Sequence, residues 1–156
     1  MKINIYTDGS ALGNPGPGGF GAIMTTDKGH YKELSQGFRF TTNNRMELLS
    51  VIIALETLKH SCKDVTVFSD SKYVVDAVEK KWVYNWERKK FANRKNPDLW
   101  KRFLHASAPH QIKFEWVKGH AGHVQNERCD QLAVNAAKQL NLPPDEGYES
   151  VDKSLF

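Results

Sequence analysis

A change in the spacing of apolar residues close to residue 41 limits what this chain can fold into. Three segments before that point have the composition and alternation of β-strands: 2–8, 20–26 and 30–40. From Met46 to Leu58 the apolar residues recur every three or four positions, which is the period of an amphipathic α-helix. The glycine- and proline-rich residues 9–19 predict a loop, and Asp27-Lys28-Gly29 predicts a turn. The chain is therefore expected to begin as a β-meander and to continue as a helix.

The remainder of the chain alternates further helices with two short strands. Strands are predicted at 65–68 and 112–117, and helices at 71–79, 82–86, 99–106 and 126–140. This order predicts an α/β domain with a mixed sheet, in which the first helix is a crossover and strands one and four can run parallel. A chain of 156 residues, 40% of them hydrophobic, suffices for one such domain. Residues 143–156 show no strong pattern, so we expect a domain of residues 1–142 followed by a flexible tail.

The net charge of +4 conceals an uneven distribution of charged residues. Residues 80–102 contain nine basic and two acidic residues, a local charge of +7, whereas the rest of the chain has 13 basic and 16 acidic residues, or −3. A basic segment on a mildly acidic body indicates a polyanionic partner.

Two features of the chain bear on its location. The longest apolar run, Leu48 to Leu55, is far shorter than the roughly 20 residues of a membrane-spanning helix, and the N-terminal residues lead into a strand rather than a signal peptide. Cys62 and Cys129 lie far apart without a Cys-x-x-Cys partner, which suits a reducing compartment and argues against a zinc site or disulfide framework. These features predict a cytoplasmic protein.

Two aspartates come at the ends of strands that can run parallel. Asp8 ends the first strand and Asp70 ends the fourth, and ligand sites in such sheets lie beyond the carboxyl ends of parallel strands. Each aspartate also has a structural interpretation, since Asp8 can form a turn with Gly9 and Asp70 can cap the helix that starts at Ser71.

Two further acids have the same double interpretation. Glu47 comes three residues after Asn44 and can complete a capping box. Asp130 comes close to the start of the last helix, where the helix dipole favours an acid. Taken singly, these four acids leave a structural and a functional role open.

Five blocks of sequence together resemble bacterial type 1 ribonuclease H. The blocks are Thr7-Asp8-Gly9-Ser10 with Gly13-Asn14-Pro15-Gly16, Thr41-Thr42-Asn43-Asn44-Arg45-Met46-Glu47, Ser69-Asp70-Ser71, Trp116-Val117-Lys118-Gly119-His120-Ala121-Gly122 and Asn126-Glu127-Arg128-Cys129-Asp130. Their order and spacing are similar to those of the family from residue 6 to about residue 136. The resemblance implies a ribonuclease H fold, a five-stranded mixed β-sheet flanked by α-helices.

The resemblance also implies an active site and a reaction. Its catalytic residues are Asp8, Glu47, Asp70 and Asp130, with His120 in an auxiliary role in proton transfer or product release. The four carboxylates are implied to hold one or two Mg²⁺ ions, with Mn²⁺ as a substitute, and carboxylate oxygens suit such hard cations. The implied activity is hydrolysis of the RNA strand of an RNA–DNA hybrid without marked sequence specificity, leaving 5′-phosphate and 3′-hydroxyl ends. For His120 an ordinary solvent-exposed loop histidine remains the alternative.

Candidate substrate contacts fall in two groups. Near the acids they are Asn14, Thr42, Asn43, Asn44 and Lys72, and in the basic segment, which the family uses as a handle on the DNA strand, they are Trp82, Trp86, Lys89, Lys90, Arg94 and Lys95. Short polar side chains suit sugar and phosphate contacts but also turns and helix caps. The aromatic residues of the segment, which also include Tyr84, Phe91 and Trp100, can stack on the nucleic acid or belong to the core.

The chain departs from the family pattern at three places. Its handle is short, with 17 residues between Trp82 and Trp100, Lys72 stands where a neutral glutamine is common, and Val124 replaces a frequent loop proline. These departures affect the expected grip on the hybrid and the loop of His120, but they remove no catalytic acid. A non-catalytic hybrid-binding module and another metal-dependent nuclease of the same fold are the alternatives. No obligatory protein partner is indicated, so a monomer is expected.

Overall fold

The computed structural model describes residues 1–119 and 123–154, with side chains up to residue 150. The described residues form five strands, β1 (Ile3–Ala11), β2 (Gly16–Thr26), β3 (Tyr31–Thr41), β4 (Val65–Ser69) and β5 (Ile112–Trp116). They also form six helices, α1 (Asn43–Thr57), α2 (Lys72–Glu79), α3 (Trp82–Arg88), α4 (Pro97–Ser107), α5 (Val124–Ala137) and α6 (Glu146–Ser154).

The five strands form one mixed sheet in the order β3-β2-β1-β4-β5. β1, β2 and β3 pair antiparallel as a meander, whereas β4 pairs parallel to β1 and to β5. The predicted α/β class, the mixed sheet and the parallel pairing of the first and fourth strands are thus confirmed. This topology places the carboxyl ends of β1 and β4 next to each other, because α1 returns the chain to the start of the sheet.

The glycine-rich segment forms less of a loop than predicted, since of residues 9–19 only 12–15 lie outside the strands. Close packing explains the glycines. A Cβ atom at Gly9 would lie 2.3 Å from the backbone of Glu47 in α1, and one at Gly21 would lie 2.4 Å from the carbonyl oxygen of Cys129 in α5. Because Gly9 and Gly21 are one position out of register in paired strands, their missing side chains face opposite sides of the sheet. α1 and α5 therefore pack against opposite faces at backbone contact distance.

Among residues 143–150, where the sequence predicts the start of a flexible tail, several have defined contacts with the rest of the chain. Tyr148 lies in α6 with its ring 5.5 Å from that of Phe40. Asp145, 7% exposed, accepts hydrogen bonds from the Thr41 hydroxyl and the Arg45 guanidinium, each at 2.7 Å. A single ionic contact between residues a hundred positions apart has no local sequence pattern, which is why periodicity did not predict it.

The core lies mainly between the sheet and the helices α1, α2 and α4. It includes Ile5, Val51, Val67, Trp100 and Phe103, all at most 1% exposed. Within the described part of the chain, no helix has both the length and the apolar character needed to cross a bilayer.

Candidate active site

Three of the predicted acids converge where β4 ends beside β1. The prediction that Asp8 ends the first strand is wrong, because β1 continues to Ala11 through its pairing with β2. One carboxylate oxygen each of Asp8, Glu47 and Asp70 lies within 4.8 Å of the others. Asp8 comes two residues after the last parallel pair, Tyr6 with Phe68, and Asp70 directly follows β4. Glu47 lies in the second turn of α1, which packs against β1 at Gly9. The separate elements thus bring together residues that are up to 62 positions apart in sequence.

The cluster is electrostatically strained in the absence of a cation. Asp8 is 4% exposed and Glu47 9%. Burial, and then the negative charges of Asp8 and Asp70, raise the pKa of Glu47 well above its ordinary value. Among the described residues, the Glu47 Oε2 atom is buried without a hydrogen-bond partner. A buried oxygen donor beside two further carboxylates fits a hard divalent cation, which would cancel the repulsion.

Asp130 lies outside the tight cluster but faces the same space. It lies in α5 and lines a cavity of about 410 Å³ together with Asp8, Glu47 and Asp70. It does not belong to the group whose oxygens lie within 4.8 Å of one another. The structure therefore brings carboxylate oxygens of three predicted acids within 4.8 Å of one another and places the fourth acid in the lining of the cavity.

The helix-cap interpretations of two acids are wrong. Thr42 is the N-cap of α1, and its hydroxyl accepts a hydrogen bond from the backbone N–H of Arg45 at 3.2 Å, so Glu47 has no capping box to complete with Asn44. Asp70 does not cap α2, because Ser71 is the N-cap and its hydroxyl accepts a hydrogen bond from the N–H of Val74 at 3.3 Å. Asp8 does accept a local hydrogen bond, from the N–H of Gly9 at 2.9 Å.

The predicted asparagines tie the loop after β1 to the start of α1. The side-chain oxygen of Asn43 accepts from the N–H of Ala11, and that of Asn14 accepts from the N–H of Asn43 at 3.0 Å. Asn43 and Asn44 line the acidic cavity. Asn14 and Asn43 therefore have a structural role, and the role of all three asparagines in substrate contact stays a prediction.

His120 lies outside the described residues, so its predicted auxiliary role also stays a prediction. Lys118 and Gly119, which precede it, are exposed.

The basic segment forms a second cavity next to the acidic one. The cavity has a volume of about 840 Å³ and is lined by Tyr73, Trp82, Asn85, Trp86, Lys89, Asn93, Arg94 and Lys95. Trp82 is 44% exposed, whereas Trp86 is partly buried against Trp100, with ring centroids 5.7 Å apart. The Arg94 guanidinium lies 5.0 Å from the centre of the Trp86 ring. Lys90 is exposed but does not line this cavity.

Two aromatic residues of the basic segment belong to the core instead of stacking on a ligand. Trp100 is fully buried and donates its indole N–H to the Tyr73 hydroxyl at 2.9 Å. Phe91 is 6% exposed and belongs to the same apolar cluster. Their side chains fix the base of the segment, so the stacking interpretation is wrong for these two.

Sequence reasoning missed Arg45, a buried cation in the first turn of α1. Its guanidinium donates to Asp98 at 2.8 and 2.9 Å and to Asp145 at 2.7 and 2.9 Å, and it reaches the Asn96 side chain at 3.3 Å. Arg45 therefore joins the start of α1 to the end of the basic segment and to the residues after 142. The one signal for Arg45 in the sequence is a charged residue next to Met46, where the apolar period of α1 begins.

Acidic side chains that converge on a cation-sized space, beside a basic cavity, are typical of nucleases that act with a divalent cation. The comparisons with known proteins define this class more closely. Residues 1–138 match the family model described as RNase H. Proteins named Ribonuclease H are 58% identical to this chain in Desulforamulus reducens, over 92% of both chains, and 52% identical in Rippkaea orientalis, over 96% of this chain and 93% of the relative.

Solved structures agree with the family match. LC9-RNase H1, described as a type 1 RNase H with the type 2 active-site motif, is 34% identical with a TM-score of 0.77, over 96% of this chain and 79% of that one. LC11-RNase H1, solved in complex with an RNA/DNA hybrid, is 26% identical with a TM-score of 0.60, over 99% and 100% of the two chains. The chain belongs to the ribonuclease H family.

Proposed function

We propose that this chain is an endonuclease that hydrolyses the RNA strand of RNA–DNA hybrids without marked sequence specificity, leaving 5′-phosphate and 3′-hydroxyl ends. The observation that carries the proposal is the convergence of Asp8, Glu47 and Asp70 at the end of the sheet, next to the basic cavity. Membership of the ribonuclease H family and the hybrid bound to LC11-RNase H1 support the choice of substrate.

The cofactor in this proposal is Mg²⁺, with Mn²⁺ as a substitute, bound as one or two ions. Asp8, Glu47 and Asp70 hold the cation, and Asp130 contributes from α5. When bound, the metal supplies activation of water and stabilisation of the charge that develops on the phosphate. The carboxylates themselves fix its position where β4 ends beside β1. His120 assists proton transfer or product release.

The proposed substrate contacts extend from the acidic cavity to the basic one. Asn14, Thr42, Asn43, Asn44 and Lys72 contact sugars and phosphates near the scissile bond. The basic segment, residues 80–102 of a catalytic domain of residues 1–142, grips the DNA strand through Trp82, Trp86, Lys89, Lys90, Arg94 and Lys95. Recognition through backbone and sugars, without base readout, accounts for the absence of sequence specificity in this proposal. We further propose that the protein acts in the cytoplasm as a monomer.

A substrate panel tests the proposed function. Labelled RNA–DNA hybrid, single-stranded RNA and double-stranded RNA are incubated with the protein and Mg²⁺, and the ends of the products are identified. We expect cleavage of the hybrid alone, at many positions in the RNA strand, and none by the Asp8→Asn variant. Equal cleavage of all three substrates would refute the specificity. Hybrid binding without cleavage at any Mg²⁺ or Mn²⁺ concentration would instead favour a non-catalytic binding module.

A further inference from the structure

Trp116, the last residue of β5, contacts the residues on both sides of Ser71. Its indole N–H donates to the backbone carbonyl oxygen of Asp70 at 3.0 Å. The ammonium group of Lys72 lies 4.7 Å from the centre of the same ring. Trp116 is 43% exposed, so the need to fill the core does not explain a tryptophan here.

The hydrogen bond from the indole to Asp70 lies just beyond the last pair of β4 and β5. The pairing of β4 with β5 ends at Ser69 and Trp116, and the Val117 N–H donates to the Ser69 carbonyl at 2.9 Å. Asp70 follows directly and carries one of three carboxylates that repel one another. The indole N–H therefore anchors the peptide of Asp70 at the point where repulsion acts on its side chain.

The contact between the Trp116 ring and Lys72 restrains an ammonium group at the N-terminus of a helix, where positive charge is unfavourable. Lys72 is the first residue of α2, where the helix dipole disfavours positive charge. Its side chain is exposed and lines the acidic cavity with Asp8 and Glu47. The face of an indole ring attracts an ammonium group and limits the conformations of its long side chain. Lys72 is thereby kept beside the acidic cavity.

We propose that Trp116 is a positioning residue that anchors the Asp70 backbone for catalysis and holds the Lys72 ammonium where it binds a phosphate group of the hybrid. The inference rests on the proposed function. The Trp116 side chain makes two separate contributions: its N–H acts on Asp70 and its ring acts on Lys72. Each contribution can be removed without the other.

Three substitutions separate these contributions. Trp116→Phe keeps an aromatic ring and removes the N–H donor, Lys72→Gln removes the ammonium group, and Trp116→Leu removes both contacts. We expect Trp116→Phe to lower kcat by about 3- to 10-fold, the effect of one lost hydrogen bond, with little change in KM. We expect Lys72→Gln to raise KM and to reduce the slope of log affinity against log salt by about one unit, the share of one phosphate contact.

The salt dependence is measured by hybrid binding in buffer without divalent cations, so that it does not depend on cleavage. Lys113→Gln is the matched control, because Lys113 is 70% exposed on β5 and pairs with Glu115. It should leave the slope unchanged. Thermal melting of every variant shows whether the effects arise from loss of folding.

The decisive comparison is Trp116→Leu with and without Lys72→Gln. If the ring acts through Lys72, Trp116→Leu raises KM in the wild-type background and has no further effect on KM in the Lys72→Gln background. An equal increase in KM in both backgrounds, or an unchanged kcat in Trp116→Phe, would overturn the inference while hybrid cleavage by the wild type stands. Absence of cleavage by the wild type would overturn the proposed function itself, and with it the role in catalysis.

Discussion

At the scale of single residues, the carboxylate cluster suits metal binding but lowers the stability of the metal-free protein. Asp8 and Glu47 are buried next to each other and to Asp70, so burial and like charges raise the pKa of Glu47. A folded protein accepts this arrangement at a cost in folding free energy, which a bound divalent cation offsets. The three side chains are therefore expected to respond together to the metal.

Substituting Glu47 tests this balance. We expect Glu47→Gln to reduce hybrid cleavage by more than about 100-fold, since metal coordination contributes several kcal/mol to catalysis. We also expect its Tm in metal-free buffer to equal or exceed that of the wild type, because one of three repelling charges is gone. Mg²⁺ should raise the Tm of the wild type more than that of the variant.

Thermal melting with and without Mg²⁺ measures the effect on stability. Asp27→Asn, which removes the same charge from an exposed turn, is the control and should behave as the wild type. A Glu47→Gln variant that cleaves the hybrid at the wild-type rate in Mg²⁺ would contradict the assignment of this residue. Asp8→Asn and Asp70→Asn should give the same pattern.

At the scale of elements, the basic segment has an unusual backbone. Lys81, Lys90, Phe91, Asn93 and Asn96 all have positive φ angles between 54° and 61°. The segment contains no glycine, so each of these residues adopts a left-handed conformation at a cost of about 1 kcal/mol. Burial of Phe91 and Trp100 in the core stabilises this shape and presents the cations on the outside.

The cations of this segment should dominate the salt dependence of hybrid binding. The test variant replaces Lys89, Lys90, Arg94 and Lys95 by glutamine. We expect hybrid affinity to fall by more than about 10-fold at low salt, and the slope of log affinity against log salt to decrease by up to about three units. Titration of a fluorescent hybrid in metal-free buffer over a range of salt concentrations provides the measurement.

A variant with the same change in net charge serves as the control. It replaces Lys2, Lys28, Lys59 and Lys63, four exposed lysines at the end of the sheet where β1 and β4 begin. If the slope decreases equally in both variants, binding depends on net charge and the basic segment has no special part in it.

At the scale of the whole molecule, Arg45 joins parts of the chain that are distant in sequence. Its side chain is 3% exposed and binds Asp98 of α4 and Asp145, which lies beyond the part of the chain that matches the family model. Since Arg45 follows Asn44 directly and precedes Glu47 by two positions, these ion pairs also support the start of α1. Asp145 thus supports the helix that carries Glu47 without lining the acidic cavity.

Removing Asp145 should destabilise the entire fold. We expect Asp145→Ala to lower the free energy of unfolding by about 3 kcal/mol, because it leaves a buried guanidinium with one carboxylate partner instead of two. Urea unfolding followed by circular dichroism provides the measurement. Glu149→Ala is the control: Glu149 pairs with Arg39, whose side chain is 54% exposed, and the loss should stay below about 1 kcal/mol. Equal losses in the two variants would contradict a special role of the buried pair.

The ion pair between Arg45 and Asp98 also predicts how stability depends on pH. Burial alone would raise the pKa of Asp98, but the hydrogen bonds and charge of Arg45 outweigh it and hold the pKa below the ordinary value of 3.8. A carboxyl group with a lowered pKa in the folded state stabilises the protein above its unfolded pKa and loses this effect as the pH falls through the folded value. We therefore expect Asp98→Asn to flatten the decrease of Tm below about pH 4. An identical acid profile for the variant and the wild type would contradict this role of Asp98.

Local patterns in the sequence predicted much of the molecule. Alternating residues predicted β1, and the spacing of Met46 and Leu49 predicted α1, because each pattern reflects burial of one face of one element. The resemblance to ribonuclease H implied that Asp8, Glu47, Asp70 and Asp130 form one cluster. For Asp8 and Asp70, the meeting point followed from the rule that ligand sites lie beyond the carboxyl ends of parallel strands.

By itself, the sequence determined the fold class, the order of the elements up to α5 and the identity of the acids, whereas α6 had no recognisable pattern. The tertiary structure decided which glycines lie in strands, that Phe91 and Trp100 are core residues, and that Asp145 pairs with Arg45. It also decided that Asp130 lies apart from the three acids whose oxygens lie within 4.8 Å of one another. The reason is physical: periodicity records the burial of a face within a few residues, whereas close backbone packing and isolated ion pairs depend on segments that meet only after the chain has folded.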